Sequence, residues 1–454
     1  MNVIALRKVF RGKGIAGVIF RTSFTNVIVL VLTTLTSILT TRLLGVVGKG
    51  ELAAILFWPM FLTGLLSLGL PTSLIYNLKK DTEHAEDYIK LCMLVLLPLG
   101  VLAGIIAWFF IPVWLQQYSG PAIRIAQVFT LVMMPLQLGM MLLSSLSKAL
   151  DQFQIYNRLK SSPPLINLIT LSALWLLGSL NLLTSALVYL VTTVIVVIYC
   201  INSLRKHLTF RAKGLSRTRA KPLFGYGINV YGMELLGSLY TQADKIIIIS
   251  LLSPRDFGLY TVLFSLSRIF NAVQNAISEV IFPKVTGKAP GVIIATVSRA
   301  FRTSMLIMSV ILIPSLFIGK YLIGLLFGSQ FLAESSTFYI LSLECIIGGG
   351  SWILASSFNA IGRPGMVLIR QIIAIIITVS LFFVMAPLFG LTGVALALLA
   401  GGIVRLGITL LQISRVFDVP LGSVLYDRND FRYMTTVARE RFLRKGVRVD
   451  ANDN

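Results

Sequence analysis

Four polar residues recur at helical spacing inside one apolar stretch in the second half of the chain. They are Arg268, Asn271, Asn275 and Glu279. At about 100° per residue, their side chains fall within about 80° of one another on a helix. An ionisable group inside an apolar helix is costly, so this stripe is expected to face water or a polar substrate. The spacing therefore predicts a polar binding surface along one face of this helix.

Further ionisable residues lie inside other apolar stretches, where each is a functional candidate. The cations are Arg42, Lys245 and Arg405, and the carboxylates are Glu234, Asp244 and Glu344. Arg268 and Arg405 each lie near the middle of a stretch, which makes them the most costly of these groups. An alternative is that they form structural ion pairs with Glu234, Asp244 or Glu279, and the sequence leaves this open.

A second polar stripe lies on the first apolar stretch. It consists of Asn26, Thr33, Ser37 and Thr40, which share one helical face. The hydroxyls could bind sugar hydroxyls. Ser and Thr in membrane helices also bond the backbone or link helices, and this structural alternative stays open.

The elements that must position these residues are long apolar helices. A mean hydropathy of +0.86 is typical of an integral membrane protein, and a bilayer core of about 30 Å needs about 20 apolar residues per helix. The first six such runs are Phe24–Leu44, Leu52–Tyr76, Tyr88–Trp114, Ile125–Leu146, Pro164–Leu180 and Leu182–Leu204. The second six are Phe224–Leu252, Leu259–Phe282, Phe301–Ile318, Phe338–Phe358, Met366–Phe389 and Leu391–Ile413. Because backbone in lipid must satisfy its own hydrogen bonds, we predict an all-α polytopic protein with about 12 transmembrane helices.

The basic residues between these runs predict the orientation in the membrane. Of the 40 Lys and Arg residues, 32 fall in alternate breaks and in the two termini. Short cytoplasmic loops carry such an excess. We therefore predict cytoplasmic N- and C-termini, an even number of crossings, and no nucleic-acid partner. The net charge of +22 is instead expected to favour anionic lipid headgroups.

The chain also repeats itself weakly at an offset of 208 residues. Residues 43–50 resemble residues 251–258, and residues 184–187 resemble residues 392–395. Each half would then contain six helices, and the two copies would be parallel because six is even. Membrane transporters commonly carry such repeats, with the substrate site where the halves meet.

The repeat and the charge pattern together predict five segments. Residues 1–23 would form a basic interfacial segment, and residues 24–204 and 223–415 two lobes around a central cavity. Residues 205–222 would be a basic cytoplasmic linker. In the tail, residues 416–454, the apolar residues Phe431, Met434, Ala438 and Phe442 suit an amphipathic helix on an anionic membrane. A partly disordered basic tail is the alternative.

Several short motifs carry a resemblance to a known family over about residues 20–415. In the first half they are Arg42-Leu43-Leu44-Gly45 and Leu68-Gly69-Leu70-Pro71. In the second half they are Asp244-Lys245, Phe257-Gly258-Leu259-Tyr260, Leu326-Phe327-Gly328, Asn359–Pro364 and Gly390–Ala395. In this order and spacing, the chain resembles the Wzx-type polysaccharide-biosynthesis flippases. That family belongs to the superfamily of multidrug exporters and lipid II flippases, of which the latter look like fourteen-helix proteins.

The resemblance implies the ligand and a role for the polar residues. It implies transfer of an undecaprenyl-diphosphate-linked oligosaccharide to the outer leaflet of a bacterial inner membrane, for O-antigen, capsule or exopolysaccharide. A guanidinium binds phosphate oxygens bidentately, so Arg268 and Arg405 are the main candidates for the diphosphate. Further candidates for the diphosphate or sugar are Arg42, Lys245, Asn271 and Asn275. Glu279, Asp244 and Glu234 are candidates for a coupling H⁺ or Na⁺, and no other cofactor is expected.

Two other functions compete with this one. An ion-coupled multidrug exporter would need membrane carboxylates, and the first six runs contain none. A glycan polymerase or ligase would need a sizeable outer loop, whereas outer connections such as residues 178–181 are short. We therefore expect a transporter rather than an enzyme. A polysaccharide polymerase and export machinery are possible partners.

Overall fold

The computed structural model describes residues 15–205, 217–271 and 285–427, together with positions 274, 277, 278 and 281. Within these residues it is α-helical throughout, without strands, and contains twelve α-helices. The first six are α1 (Ile15–Leu65), α2 (Leu70–Lys80), α3 (Ala85–Trp114), α4 (Gly120–Ala149), α5 (Phe153–Leu176) and α6 (Leu182–Leu204). The others are α7 (Arg217–Leu251), α8 (Pro254–Ser267), α9 (Pro290–Phe327), α10 (Ser335–Ala360), α11 (Pro364–Phe417) and α12 (Leu421–Leu425). The prediction of an all-α membrane protein is confirmed.

Helix α11 contains two predicted runs, and α1 contains the first run and the beginning of the second. Gly45 in α1 has φ 69° and Gly390 in α11 has φ 57°, a region that glycine occupies at little cost. Arg370 and Thr409, both in α11, lie within 2.8 Å of each other, although a straight helix would separate them by about 58 Å. The chain therefore reverses direction at Gly390, and α11 is a hairpin of the last two runs.

Seven helices in the described residues are long and apolar enough to cross a membrane. They contain nine of the twelve predicted runs, wholly or in part, because α11 holds two and α1 holds the first and the beginning of the second. The other three runs begin in α5, α7 and α8. Charged and polar residues lower the hydropathy of α5 and α7, and α8 has only 14 residues.

The second predicted run is interrupted, which corrects the expectation of one continuous helix over Leu52–Tyr76. Helix α1 ends at Leu65 and α2 begins at Leu70. Between them, Leu68 and Gly69 have φ values of 52° and 65°. The carbonyl oxygen of Leu65 at this break accepts a hydrogen bond from the Tyr231 hydroxyl of α7 at 2.5 Å. A side chain thus satisfies backbone that the break releases from the helix.

The chain divides into two compact units. Unit 1 comprises Met1–Val262 and Leu326–Gln330, and unit 2 comprises Leu263–Leu325 and Phe331–Asn454. The core of unit 1 includes a buried cluster from α2, α3, α4 and α6, among them Leu74, Leu96 and Leu142. The core of unit 2 is built from α9, α10 and α11 around Val297, Leu354 and Ile413. The predicted lobes, residues 24–204 and 223–415, follow the sequence repeat rather than this packing, and their boundaries stay a prediction.

The repeat is visible in the packing of unit 1. Gly50 and Gly258 occupy equivalent positions, 208 residues apart. A Cβ atom at Gly50 would lie 1.8 Å from the Pro254 carbonyl oxygen, and one at Gly258 would lie 2.1 Å from the Val46 carbonyl oxygen. The two repeat-related helices therefore touch backbone to backbone at their equivalent glycines, which supports the internal repeat.

Several predicted features lie outside the described residues. They are residues 1–14, residues 206–216 of the linker, the tail helix over residues 431–442, Asn275 and Glu279. The tail up to Asp427 is described. There Arg302 of α9 donates a hydrogen bond to the Ser423 carbonyl oxygen at 2.5 Å and lies 3.7 Å from the Asp427 carboxylate.

Candidate functional site

Two arginines and one glutamate form a charged cluster in the described residues of unit 2. The Nη2 atom of Arg268 lies 3.5 Å from Glu344 Oε2, and the Nη2 atom of Arg405 lies 3.9 Å from Glu344 Oε1. The side chains of Glu344 and Arg405 are 5% and 8% exposed, whereas that of Arg268 is 35% exposed. The structure thus brings the two main sequence-predicted residues together on one carboxylate, with Arg268 as the more accessible of the two.

The helix α10 is shaped to admit this cluster. Gly348 follows Glu344 by one helical turn, and a Cβ atom there would lie 2.7 Å from Arg405 Nη2 and 3.2 Å from Glu344 Oε1. Any larger residue would displace the guanidinium. The next glycine, Gly349, leaves similar room for the Gln274 side chain, whose amide nitrogen donates to the Ile346 carbonyl oxygen at 2.9 Å.

Asn271 links the predicted polar stripe to the cluster. In the amide orientation that satisfies both its groups, its oxygen accepts from Arg268 Nη1 at 2.8 Å and its nitrogen donates to the Cys345 carbonyl oxygen at 2.9 Å. Arg268 also lies over the Phe264 ring, with Cζ 4.3 Å from the ring centroid. These contacts fix the orientation of the guanidinium beside Glu344.

A third arginine of unit 2 is fully buried. Arg370, at the start of α11, donates from Nη1 to the hydroxyls of Ser351 and Thr409 at 2.7 and 2.8 Å. The Thr409 hydroxyl in turn donates to the carbonyl oxygen of Arg405 at 2.6 Å. Arg370 therefore links α10 to both arms of the α11 hairpin. Through Thr409 it is also connected to Arg405 of the cluster.

Within the described residues, the guanidinium groups of Arg268 and Arg405 both lie beside the Glu344 carboxylate. Planar guanidinium groups can bind phosphate oxygens bidentately. The chemistry of Arg268 and Arg405 is therefore compatible with a phosphate-containing ligand.

The sequence analysis left open ion pairs of these arginines with Glu234, Asp244 or Glu279. Glu234 and Asp244 contact other groups in unit 1, and Glu279 is not among the described residues, so a pair with it stays a prediction. The carboxylate that both arginines contact in the described residues is Glu344, which the sequence analysis named as a candidate without pairing it. The signal that could have identified it is the run Gly348-Gly349-Gly350, which begins one turn later on the same apolar helix.

Asp244 and Lys245 lie together near the C-terminal end of α7 in unit 1. The Tyr260 hydroxyl of α8 donates a short hydrogen bond to Asp244, which is 3% exposed. Lys245 Nζ lies 3.8 Å from Asp244 and donates to Gln242 Oε1 at 2.8 Å. The two predicted residues therefore belong to one local cluster that also ties α7 to α8.

Arg42 contacts the end of another helix. Its Nε atom donates to the carbonyl oxygen of Leu326 at 2.8 Å, one residue before α9 ends at Phe327. A cation at a helix C-terminus satisfies an exposed carbonyl and complements the helix dipole. This contact gives Arg42 a structural role, and its predicted role in ligand binding stays a prediction.

Glu234 of α7 lies beside the break between α1 and α2. Its Oε1 atom accepts from the Thr72 hydroxyl at 2.6 Å, and its Oε2 atom accepts from the Ser67 hydroxyl at 3.5 Å. An interrupted helix next to a carboxylate is a common arrangement for cation sites in transporters. Glu234 is therefore the coupling-ion candidate with the most suggestive surroundings in the described residues.

The polar stripe of the first run is largely bonded within the protein. The hydroxyls of Thr33 and Thr40 donate to the carbonyl oxygens of Val29 and Thr36, one turn earlier, at 2.8 Å each. Asn26 accepts a hydrogen bond from Lys160 Nζ at 2.7 Å. For these three residues the structural alternative has direct support.

A polar cluster follows the end of α2. Asp81 contacts His84 Nδ1 at 2.9 Å and Arg219 Nη1 at 3.0 Å, and Arg219 Nη2 lies 2.9 Å from His84 Nε2. The hydrogen bond from His84 is the main reason that the pKa of Asp81 is lowered, and the charge of Arg219 lowers it further. This cluster links the α2–α3 connection to the start of α7.

The fold defines the class of protein: a polytopic α-helical membrane protein built like the transporters of the multidrug and lipid-flippase superfamily. It is similar to the lipid II flippase MurJ in an inward closed conformation, with a TM-score of 0.74, 15% identity and 89% of each chain covered. It is also similar to an inward-facing multidrug resistance MATE family transporter, with a TM-score of 0.70 and 15% identity over 92% of this chain and 98% of the other.

Residues 16–286 match the family described as polysaccharide biosynthesis protein. Because this match covers more than half of the chain, the protein belongs to that family, as the sequence motifs predicted. A curated relative is the probable low-salt glycan biosynthesis flippase Agl15 of Haloferax volcanii, which is 25% identical over 182 residues. The matched region spans 39% of this chain and 39% of the relative's length.

Proposed function

We propose that this protein moves an undecaprenyl-diphosphate-linked oligosaccharide from the cytoplasmic to the outer leaflet of the bacterial inner membrane. The observation that carries the proposal is the Arg268–Glu344–Arg405 cluster, in which two guanidinium groups share one buried carboxylate. Family membership and the glycan-flippase name of the relative point in the same direction. The oligosaccharide would serve surface polysaccharide synthesis as O-antigen, capsule or exopolysaccharide.

In this mechanism the diphosphate replaces Glu344 as the anionic partner of the two arginines. Arg268 is partly exposed, so its guanidinium would meet the diphosphate first. Arg405 is more buried and would follow as the ligand moves in. Asn271, which accepts from Arg268 Nη1 at 2.8 Å, would hold that guanidinium in place during the exchange. No covalent bond of the substrate changes, and the protein contributes only binding and a change of access.

We further propose Glu234 as the group that couples transport to an ion gradient. Protonation or cation binding at its carboxylate would weaken the hydrogen bonds from Thr72 and Ser67, which hold the break between α1 and α2 against α7. The local geometry at the break would then depend on the ion. Both termini would face the cytoplasm, and a polysaccharide polymerase would receive the product at the outer leaflet.

The main rival function is ion-coupled export of cationic drugs, which the MATE-like fold also permits. A cationic drug requires an accessible carboxylate. In the described residues, however, Glu344 contacts two arginines, Asp244 contacts Lys245 and Tyr260, and Glu234 accepts from two hydroxyls. The partly exposed group of the unit 2 cluster is the Arg268 guanidinium, which favours an anionic substrate.

The proposal is tested by complementation in a strain that lacks the chain. Arg268→Gln should abolish surface polysaccharide at normal membrane abundance, and Arg268→Lys should restore it partly because an ammonium lacks the bidentate fork. The matched control is Arg415→Gln, which removes an exposed arginine from α11. If the wild-type chain restores no polysaccharide but increases resistance to cationic drugs, the proposal is refuted and the rival function stands.

A further inference from the structure

Unit 1 has a cavity of its own, at the predicted cytoplasmic end of α2 and α7. Its volume is about 540 Å³, within the usual range for small-molecule sites. Its lining residues are Thr72, Ile75, Tyr76, Lys79, Lys80 and Tyr226. Two of these are cations, two are aromatic, and one is the hydroxyl partner of Glu234.

The shape of the cavity follows from a close crossing of the two helices. A Cβ atom at Gly69 would lie 2.2 Å from the Gly227 carbonyl oxygen, and the Ser73 hydroxyl donates to the Leu223 carbonyl oxygen at 2.6 Å. This contact sets α7 against α2. It places the rings of Tyr76 and Tyr226 parallel, with an interplanar angle of 4° and centroids 4.2 Å apart. The result is a flat aromatic wall on one side of the cavity.

The lysines supply positive charge along the same wall. Lys80 Nζ lies 5.7 Å from the centroid of the Tyr76 ring. Lys79 contacts Asp151 at 2.5 Å, but these side chains are 47% and 67% exposed, and such surface pairs contribute little to stability. A phosphate could therefore replace Asp151 at Lys79. Lysines in a last helical turn also complement the helix dipole, but that role requires neither a cavity nor a stacked tyrosine pair beside them.

We propose that this cavity is a first binding site for a glycosyl phosphate headgroup, used before the ligand reaches the arginine cluster. The inference rests on the proposed function, since it names a second binding site for the same substrate. Lys79 and Lys80 would bind the phosphate oxygens, and the aromatic wall would contact the C–H face of the sugar ring. Thr72 lines the cavity and donates to Glu234, so the headgroup would lie one side chain away from the proposed coupling carboxylate.

The test uses a local readout in the full-length protein. A cysteine introduced by Ile75→Cys is labelled with a hydrophilic maleimide, while the native Cys92, Cys200 and Cys345 are buried and can stay. The probe is citronellyl diphosphate linked to N-acetylglucosamine, which should slow labelling in a saturable way. Labelling of Lys288→Cys, an exposed position in unit 2, should not change.

The variants separate the phosphate and sugar contacts. Lys79→Gln combined with Lys80→Gln should raise the half-protection concentration about tenfold or more, because charge-assisted hydrogen bonds are lost. Tyr226→Leu should weaken protection by the sugar-bearing probe but not by citronellyl diphosphate without sugar. Tyr226→Phe keeps the ring and should behave like the parent, which controls for misfolding.

Two results would overturn the inference. One is labelling that the probe does not slow. The other is protection by phosphatidylglycerol in nanodiscs that matches the probe and does not respond to Tyr226→Leu, which would identify a phospholipid headgroup instead. The proposed function fails separately, if the wild-type chain supports no surface polysaccharide even though the probe protects the cavity.

Discussion

The interiors of the two units use charge and glycine in opposite ways. In unit 2, Arg268, Arg405 and Arg370 surround Glu344 and nearby hydroxyls, and Gly348 makes room for a guanidinium. In unit 1, the buried or half-buried carboxylates Glu234 and Asp244 are bound by hydroxyls and one lysine. The glycines there bring backbones into contact, as at Gly50 and Gly258.

This difference separates the groups that the proposed function uses. Guanidinium groups suit a polyanionic ligand, whereas a carboxylate that accepts from hydroxyls, such as Glu234, suits a small cation or proton. Tight backbone crossings suit helices that move together as one body. Under the proposed function, the arginine cluster of unit 2 would bind the diphosphate and Glu234 of unit 1 would couple transport to an ion, and each role can be tested by itself.

The largest effect is expected on ligand affinity, when the loss of one cation in unit 2 is compared with the loss of one cation in unit 1. Arg405→Gln should weaken binding of a diphosphate-linked glycan by on the order of 10–100-fold, since a hydrogen bond to a charged group contributes about 1.5–3 kcal/mol. Lys245→Gln in unit 1 should change it less than about threefold, because Lys245 is bonded within its own cluster. Equal losses, measured with purified protein in nanodiscs, would remove the contrast between the units.

A second prediction concerns the carboxylate beside the helix break. Glu234→Gln keeps an acceptor for Thr72 but cannot be protonated, so transport in proteoliposomes should lose its response to an imposed proton or sodium gradient. Binding of the glycan substrate should stay within about twofold, as for a site that does not contact it. If gradient-driven transport is unchanged in this variant, Glu234 is not the coupling group.

A third prediction uses the glycine contact to test the rigidity of unit 1. Gly258→Ala places a methyl group 2.1 Å from a backbone oxygen, and such overpacking costs about 1–3 kcal/mol. We expect a lower melting temperature in detergent. The matched control is Gly237→Ala on α7, where no atom lies within 4 Å, and where alanine should be neutral or stabilising. Similar melting temperatures for both variants would contradict the contact.

The smallest effect is expected on the melting temperature, from a change at the α2–α3 connection of unit 1. The pKa of Asp81 is lowered, mainly by the hydrogen bond from His84. The stabilisation it provides is therefore present above the ordinary aspartate pKa and is lost as the pH falls through the lowered value. The melting temperatures of wild type and Asp81→Asn should differ by a constant small amount between pH 5 and 8, and converge below about pH 4. Convergence near neutral pH would show that another group controls the cluster.

The sequence predicts the helical runs well because hydropathy and residue spacing depend only on residues that are close together in the chain. The interruption of the second run was harder to predict, since the positive φ values at Leu68 and Gly69 accompany packing against α7. The repeat offset correctly paired Gly50 with Gly258, although nothing in the sequence shows that the two glycines touch. Residue spacing along one helix likewise places Arg268 and Asn271 on one face, although it does not show that their side chains touch.

The charged pairs of the site could not be predicted, because each joins different helices. Glu344 lies 76 positions after Arg268, and Arg370 reaches Thr409 only because α11 reverses at Gly390. Composition identifies which groups are costly in a membrane, but the partner that offsets this cost is set by tertiary structure. For that reason the sequence analysis named Glu344 as a candidate but did not pair it with Arg268 and Arg405.

The central claim is that Arg268 and Arg405 bind the substrate diphosphate rather than only neutralising Glu344. The most direct measurement compares membrane abundance and surface polysaccharide for Arg268→Gln, Glu344→Gln and the double variant. We expect Arg268→Gln to lose polysaccharide at normal abundance, and the double variant to remain without polysaccharide. If the double variant regains both abundance and polysaccharide after either single variant has lost them, Arg268 is a structural ion-pair partner and the claim is wrong.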